Sequence, residues 1–572
     1  MNYKTPGAYV EEQSTFPPSV AQVETAIPAF IGYTELGPKN KPTRISSMLE
    51  YEQLFGHAKP EPLAVAFRDG VATAVQTKVN DFKMYYAMQM YFANGGGACY
   101  IVSVGPEGYP ASVNTVELQA GLDLLKKEDE PTLIVFPDLQ DLVPAASDIA
   151  AAAKASEVSE SNETFATIAK TASKAVADVA NSAGPTIQHI IDAAVAKANT
   201  YKITNPNDAN EVAAAQAAQV VVEAGKAAAA VPNAQVADVK IDIQIAASKF
   251  DSVWSSAKSV AESTADFKTS LVSRAGDQVT ITKAYNLYNK ALDQAELLKD
   301  RFVIMDVLGD DAAFRNEVSA SGLKYGAAYH PKLKTVLSYD FKDDKVPVTG
   351  VYGSRNLADL KANHSELYNQ AKQAIESKQV ILAPSSAMAG VYAKVDSTAG
   401  VFKSPANIGL NYVVAPTVKI TTKEQDLLNV DTTYGKSINV IRAFTGKGTL
   451  VWGARTLDGN SNEWKYVSVR RFFSMVEESV KKATERFVFE PNTANTWVRV
   501  QTMIENFLDQ QWRDGALAGS KPEEAYYVSV GLNKTMSAQD ILEGRMNIEI
   551  GMAAVRPAEF IVLRFSHKLQ EA

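Results

Sequence analysis

Two aspartates stand where an α/β enzyme keeps catalytic carboxylates, at the ends of apolar, strand-like runs. Asp138 ends the run TLIVFPD, and Asp306 lies near the end of RFVIMDV. The carboxyl ends of parallel strands are a usual place for catalysis, so an α/β enzyme that uses both side chains is one interpretation. Aspartate also commonly begins a turn, and no histidine lies near either residue in the sequence. We therefore expect both aspartates to be structural.

Other reactive residue types occur without the spacing that their chemistry requires. No two of the five histidines are at the spacing of metal ligands. The five are His57, His189, His330, His364 and His567. Cys99 lies in an apolar strand-like run and is expected in the core. The serines after Pro384 lack the G-x-S-x-G elbow of a nucleophile.

Two glycine-containing stretches invite a nucleotide-binding interpretation, and neither fits it. Gly435-Lys436-Ser437 has Val430 where a phosphate loop needs its first glycine, so we expect a turn that leads into a strand over 438–444. The glycines at 95–97 follow a predicted helix, whereas phosphate loops follow a strand and precede a helix. The sequence therefore predicts no catalytic residue, no metal site and no cofactor.

Composition limits the class of protein. A chain of 572 residues with 46% hydrophobic and 21% charged residues is expected to form about two to four globular domains. The net charge of −8 argues against nucleic-acid binding. A single cysteine indicates a reducing compartment. The start MNYKTPGAYVEE lacks a signal pattern and no apolar run reaches about 18 residues, so we expect assembly in the bacterial cytoplasm without membrane insertion.

Hydrophobic periodicity predicts a mixed α/β (α+β) fold of several domains. Apolar runs at 26–33, 98–104, 132–138 and 301–307 are typical of buried strands, the last two as neighbours in one parallel sheet. An alanine-rich segment over 141–289 interrupts this pattern and predicts a mainly helical insertion.

Near the C-terminus the pattern changes to two amphipathic helices and a closing strand over 557–565. The first helix carries the apolar stripe Phe472, Val476, Val480, Ala483 and Phe487. The second carries Trp497, Val500, Ile504, Phe507 and Leu508. A compact α/β domain with a terminal strand is the expected structure.

Six short elements in this part of the chain stand in the order typical of one family. They are WGARTL at 452–457, RRFF at 470–473, FEPN at 489–492, the helix around Trp497, DGAL at 514–517 and PAEF at 557–560. This stretch resembles the C-terminal domain of contractile tail sheath proteins. The openings TPGAYVEE and FIG, and later YFANGGGACYIVSV and APSSAMAGVYAKVD, resemble further elements of that family.

The resemblance implies a structural subunit that polymerises helically around an inner tube in a metastable extended state. Contraction would then drive the tube through a target envelope. The implied partners are further copies in stacked sixfold rings, the tube protein, and baseplate and terminal cap proteins, with paralogous sheath subunits as further candidates. A phage tail, a tailocin and an extracellular injection particle, released or anchored, all stay open. A static shell or surface lattice is the alternative interpretation.

The resemblance also assigns parts of the chain. The expected parts are an N-terminal arm (1–25), a middle α/β domain (26–140 with 290–400), an inserted outer domain (141–289), a C-terminal inner domain (401–556) and a C-terminal arm strand (557–572). Both arms are expected to add strands to sheets of neighbouring subunits. The N-terminal strand comprises Thr5, Pro6, Gly7, Tyr9, Val10, Glu11 and Glu12, and the C-terminal strand comprises Glu559, Phe560, Ile561, Val562, Leu563, Arg564 and Phe565. The candidate tube-facing residues are Glu477, Glu478, Lys481, Lys482 and Glu485 on the first helix, and Arg499, Asn506, Asp509 and Arg513 on the second.

Overall fold

A computed structural model describes residues 19–68, 70–351 and 355–563. Its strands are β1 (Pro28–Gly32), β2 (Thr43–Ile45), β3 (Leu63–Arg68), β4 (Val71–Gln76), β5 (Cys99–Ser103), β6 (Leu133–Val135), β7 (Phe302–Asp306), β8 (Gly326–His330), β9 (Leu333–Ser338), β10 (Val348–Thr349), β11 (Gln379–Leu382), β12 (Ile408–Gly409), β13 (Val413–Pro416), β14 (Ile438–Phe444), β15 (Gly448–Val451), β16 (Tyr526–Val530) and β17 (Ile548–Met552). Its helices are α1 (Met48–Phe55), α2 (Met84–Ala93), α3 (Thr115–Leu124), α4 (Ala146–Asn181), α5 (Ile187–Ala198), α6 (Ala209–Ala229), α7 (Val236–Gly276), α8 (Gln278–Leu298), α9 (Asp311–Glu317), α10 (Leu357–Asn363), α11 (Ser365–Glu376), α12 (Ser385–Ala399), α13 (Thr422–Asn429), α14 (Val467–Thr484), α15 (Ala494–Arg513), α16 (Pro522–Ala525) and α17 (Ala538–Leu542). The predicted mixed α/β fold is confirmed.

A nine-stranded sheet forms the centre of the body in the described residues, in the order β12-β15-β14-β8-β7-β6-β1-β5-β2. The six strands from β14 to β5 run parallel, and the predicted pairing of β6 with β7 is present. Every residue of β1 and β7 is buried. Strands covered on both faces read as continuous apolar runs, which is why these strands could be predicted from sequence.

Helices cover both faces of this sheet. The α3 and α8 side chains form one core with the sheet, and the α2 and α12 side chains form the other. The glycine-containing turn after α2 leads into β5, as predicted, with Gly95 at φ 100°. An L side chain rarely adopts that backbone conformation, which explains the glycine.

The packing of the strands and helices disagrees with two of the expected domain boundaries. Strands β12, β14 and β15 lie in the nine-stranded sheet, so a domain that begins at residue 401 would divide that sheet. Helix α8 packs on the sheet through Tyr285, Tyr288 and Leu292, so it belongs to the body and not to the insertion ending at 289. In both cases long-range pairing joins segments that local periodicity assigns to different units.

The alanine-rich insertion lies in α4, α5, α6 and α7, with breaks at the Gly-Pro and Asn-Pro-Asn sequences. Its core contains mainly alanine and valine, which allow close approach of the helices. Ion pairs hold both of its roots to the body: Arg274 of α7 pairs with Asp81 at 2.6 Å, and Lys332 pairs with Asp148 of α4 at 2.9 Å. In the described ranges, no helix has the length and apolar character that a membrane crossing requires.

The C-terminal layer consists of α14, α15 and the antiparallel pair β16–β17. Its core contains the predicted stripe residues of both helices, except that Trp497 is only half-buried and donates its indole N–H to Asn492 at 2.6 Å. Val20, from the described start of the chain, is part of the same core.

Candidate subunit-assembly site

The two aspartates that could serve an enzyme are used as structural acceptors. Asp138 is fully buried and accepts backbone N–H bonds from Tyr33, Lys83 and Met84 at 2.6–3.1 Å. Asp306 is 3% exposed and accepts from the backbone N–H and the hydroxyl of Ser385. Burial raises the pKa of each carboxyl to about 7. Each side chain joins neighbouring segments of the fold.

The Gly-Lys-Ser sequence is likewise occupied within the fold. The Lys436 ammonium donates to the carbonyl of Arg315, and the Ser437 hydroxyl donates to the carbonyl of Asn429 at 2.6 Å. Gly435 has φ 72°, as a turn requires. Among the residues that the structure describes, no three or more His, Cys, Asp or Glu side chains are grouped to bind a metal.

The β16–β17 pair presents unpaired strand edges. Each strand pairs only with the other within the described residues, in a register that joins Tyr526 to Met552 and Val530 to Ile548. One face of the pair packs on α15 through Val528 and partly buried Ile548 and Ile550. A two-stranded sheet is only marginally stable alone, and its free edges offer main-chain donors and acceptors to a further strand.

The C-terminal arm leaves the body at Glu559. This carboxylate accepts from Arg455 (Nη2 at 2.7 Å, Nε at 2.9 Å), from the Asn429 amide at 2.8 Å and from the Tyr466 hydroxyl at 3.2 Å. Burial raises the pKa of Glu559, but these hydrogen bonds and the Arg455 charge outweigh burial and lower it overall. Glu559 therefore fixes the root of the arm as an ionised carboxylate.

Beyond Glu559 the described chain is apolar and uncovered. Phe560, Ile561, Val562 and Leu563 are 70% to 79% exposed. The structure assigns no strand within 557–563, so the strand predicted there is not formed in the isolated chain. The predicted arm residues Arg564 and Phe565, and the whole predicted N-terminal strand, lie outside the described residues. Four consecutive exposed apolar side chains are unfavourable in a monomer unless a partner covers them.

A second set of hydrogen bonds, the N-terminal root, attaches residues 19–25 to α14 and α12. Arg471 forms a bidentate ion pair with Asp396 of α12 and donates to the Thr25 carbonyl at 2.8 Å. The Thr25 hydroxyl donates to the same Asp396, and the Val23 N–H donates to Ser479. Residues 19–25, which the sequence analysis placed in a free arm, are therefore bound to the body of their own chain.

Each root includes a residue at the beginning of α14, Tyr466 in one and Arg471 in the other. A groove of about 1000 Å³ is lined by Phe402, Tyr466 and Glu559, and Val401, next to Phe402, packs with Val20 in the core of the C-terminal layer. Arg455 and Arg471 lie in two of the motifs that carry the family resemblance, but neither arginine was predicted to have a role. Their positions within WGARTL and RRFF were the available signal.

The two helix faces proposed for tube contact differ in their contacts with the rest of the chain. On α14, Glu478 is mostly covered, pairs with Lys481 and Lys482, and lines a half-open pocket of about 270 Å³ together with Asp300 and Arg301. Glu477 pairs with buried Arg470 but is itself exposed, as are Lys481, Lys482 and Glu485. This face is directed in part toward the body of its own chain.

The α15 face is open to solvent. Arg499 and Asn506 are exposed, and Arg513 is exposed while it pairs with Asp509 at 2.8 Å. Tube contact stays a prediction for both helices.

Comparison with known proteins finds similarity to one family. A family model described as the phage tail sheath C-terminal domain matches residues 460–568. The helical sheath of the anti-feeding prophage in its contracted state matches 99% of this chain and 100% of its own, at 25% identity and a TM-score of 0.52. Residues 460–568 thus match a tail sheath domain, and nearly the whole chain is similar to a contractile sheath protein.

Two further solved structures agree along the whole chain. A chain of the sixfold-symmetrised anti-feeding prophage baseplate matches at 26% identity and a TM-score of 0.51, over 99% of this chain and 100% of its own. The contracted PVC sheath of an extracellular contractile injection system has the same fold at 23% identity and a TM-score of 0.51, over 100% and 99% of the two chains. None of the curated proteins compared with this chain matches it.

Proposed function

We propose that this protein is the repeating subunit of a contractile sheath that assembles helically around an inner tube and shortens to drive the tube forward. The observation that carries the proposal is the match of nearly the whole chain to a sheath in its contracted state. A structural role, without catalysis, accords with the use of Asp138, Asp306 and Lys436 as internal hydrogen-bonding groups. We place it in an extracellular injection particle, the kind of particle from which the contracted PVC sheath comes.

Assembly would proceed by strand addition between copies. The apolar residues 560–563 and the predicted N-terminal strand would pair with the free edges of β16 and β17 on neighbouring subunits. A head-to-tail contact of this kind does not close on itself, so it propagates as a helical filament. Backbone pairing gives each joint its strength, while exposed apolar side chains become buried.

Contraction would need no nucleotide. Energy would be stored in a kinetically trapped extended lattice and released when subunits rotate as rigid bodies into more extensive contact. A gain of about 1–3 kcal/mol per subunit, the range of one allosteric coupling, sums to a large release along a sheath. The baseplate and cap would set the ends of the polymer.

For the tube contact we propose the α15 face, with Arg499, Asn506 and Arg513 as its most exposed members. The competing α14 face is partly engaged by its own chain through the pocket beside Asp300. The cytoplasm remains our proposed place of assembly, before the finished particle acts elsewhere.

Electron microscopy of purified protein tests the strand-addition mechanism. Replacing Ile561, Val562 and Leu563 together with serine should abolish striated tubes and leave the thermal unfolding midpoint unchanged, because these side chains are 71% to 79% exposed. The matched control replaces Ile241 and Ile245, which are 55% and 47% exposed on α7, with serine. The control should still form tubes.

Three outcomes would contradict the proposal. Normal tubes from the triple-serine variant would refute strand addition by the C-terminal arm. Flat lattices or closed shells from the wild-type chain would favour the static-assembly alternative. Wild-type protein that remains a monodisperse monomer at all concentrations and with added tube protein would refute the sheath role itself.

A further inference from the structure

The root of the C-terminal arm contains more hydrogen bonds than the attachment of a flexible tail requires. Both oxygens of Glu559 are occupied: Oε1 by Arg455 Nε and Asn429 Nδ2, and Oε2 by Arg455 Nη2 and the Tyr466 hydroxyl. The donors come from the end of α13, the segment after β15 and the residue before α14. Three separate elements therefore converge on one carboxylate.

This set of donors is itself rigidly held. Arg455 is 6% exposed, and its backbone N–H donates to Asn439 of β14 at 2.7 Å. The Asn439 side chain in turn donates to the carbonyl of Ala328 in β8. The backbone of Arg455 is thus fixed to the nine-stranded sheet through the Asn439 side chain. A charge-assisted pair with two parallel bonds restricts orientation as well as position.

Between residues 555 and 563, as far as the structure describes them, no side chain other than Glu559 has a comparable set of hydrogen bonds to the body. Before it, the Val555 N–H donates to the Ala516 carbonyl, and Pro557 limits the backbone over the intervening residues. After it, the four apolar residues from Phe560 to Leu563 are exposed. The direction in which the arm leaves the body is therefore set at one side chain.

We propose that Glu559 is a positioning residue: its ion pair with Arg455 directs the apolar arm toward the neighbouring copy before assembly begins. The inference rests on the proposed function, since it assigns the arm a second copy of this chain as its partner. Pre-orienting a segment lowers the conformational entropy that binding must remove, so affinity rises without any new contact. The lowered pKa of Glu559 agrees with a carboxylate that stays charged in this role.

A distance measurement on the monomer tests the inference independently of polymer formation. One nitroxide label is placed on the arm at Ile561→Cys and a second on the exposed turn after β14 at Lys447→Cys. The native Cys99 is buried and should not react with the label. Pulsed electron–electron double resonance should give a narrow distribution of the distance between the two labels in the doubly labelled parent protein. Glu559→Gln should broaden it at least twofold, and Arg455→Lys, which keeps the charge but loses the planar fork, should also broaden it.

The matched control is Glu543→Gln, which removes the same charge from an exposed pair with Arg545 in the C-terminal layer. It should leave the distribution unchanged. In the unlabelled chain, Glu559→Gln should raise the protein concentration needed for tube formation about tenfold, and Glu543→Gln should not change it.

The outcomes separate this inference from the proposed function. Equal distribution widths in the parent and in Glu559→Gln would overturn the positioning role, whether or not tubes form. A broadened arm in Glu559→Gln with an unchanged assembly concentration would overturn the link to the partner copy. A wild-type chain that never forms tubes would refute the sheath proposal and, with it, the partner assigned here, while the monomer distances still decide whether Glu559 orients the arm.

Discussion

Breaking the Arg471–Asp396 ion pair should release α14 and the N-terminal root from the body. The Arg471 and Asp396 side chains are 4% and 7% exposed, and their two charge-assisted bonds measure 3.0 and 2.5 Å. Asp396→Asn removes the charge and leaves Arg471 buried. Removing one partner of a buried pair costs about 3–5 kcal/mol.

The lower end of that range applies here because Arg471 keeps two other interactions. It still donates to the Thr25 carbonyl, and its guanidinium lies 4.6 Å from the centre of the Tyr392 ring. We therefore expect a loss of about 3 kcal/mol in the local free energy of opening. Since about 1.4 kcal/mol is a factor of ten, amides of α14 should exchange roughly 150-fold faster.

Hydrogen–deuterium exchange followed by mass spectrometry measures this directly on α14 peptides, with α8 peptides as an internal reference. Asp509→Asn is the matched control, because its partner Arg513 is 67% exposed and surface pairs contribute about 1 kcal/mol or less. The double variant Asp396→Leu with Arg471→Met should recover most of the loss. Less than a fivefold change in Asp396→Asn, or additive losses in the double variant, would refute the reasoning.

Two further predictions concern pH and the tube. Because the folded-state pKa of Asp306 is about 7, above its ordinary 3.8, its stabilising effect is present at low pH and lost as pH rises toward 7. Asp306→Asn should therefore remove about 2–3 kcal/mol of the difference in unfolding free energy between pH 5 and pH 8 in urea titrations, and equal pH profiles would contradict this. Reversing Arg499 and Arg513 to Glu should weaken co-sedimentation with tube at least about tenfold, whereas reversing Lys481 and Lys482 should have little effect; the opposite result would favour the α14 face.

Local sequence patterns were sufficient for the elements that bury one repeating face. The stripe of α14, Phe472 to Phe487, and the apolar run of β7 were predicted because helix and strand periods place such residues on a common surface. The turn at Gly435 was predicted because Val430 excludes the phosphate-loop pattern. Each of these inferences depends on residues a few positions apart.

Partners that are distant in sequence were not predictable in this way. Glu559 lies 104 residues from Arg455, and Thr25 lies 446 residues from Arg471, yet each pair is in hydrogen-bond contact. Local periodicity carries no information about contacts between residues so far apart. The predictions from sequence therefore placed 19–25 in a free arm and put a domain boundary at residue 401, within the nine-stranded sheet. Long-range strand pairing and the burial of charges joined these segments instead.

The amino-acid pattern alone thus specifies the helices, the buried strands, the alanine-rich insertion and the family motifs, because local periodicity and spacing encode them. Only the tertiary structure decides which arginine forms an ion pair with which carboxylate, and at which residues the arms leave the body. A charge can be buried only where a partner and its donors converge, and that convergence arises from packing between distant segments.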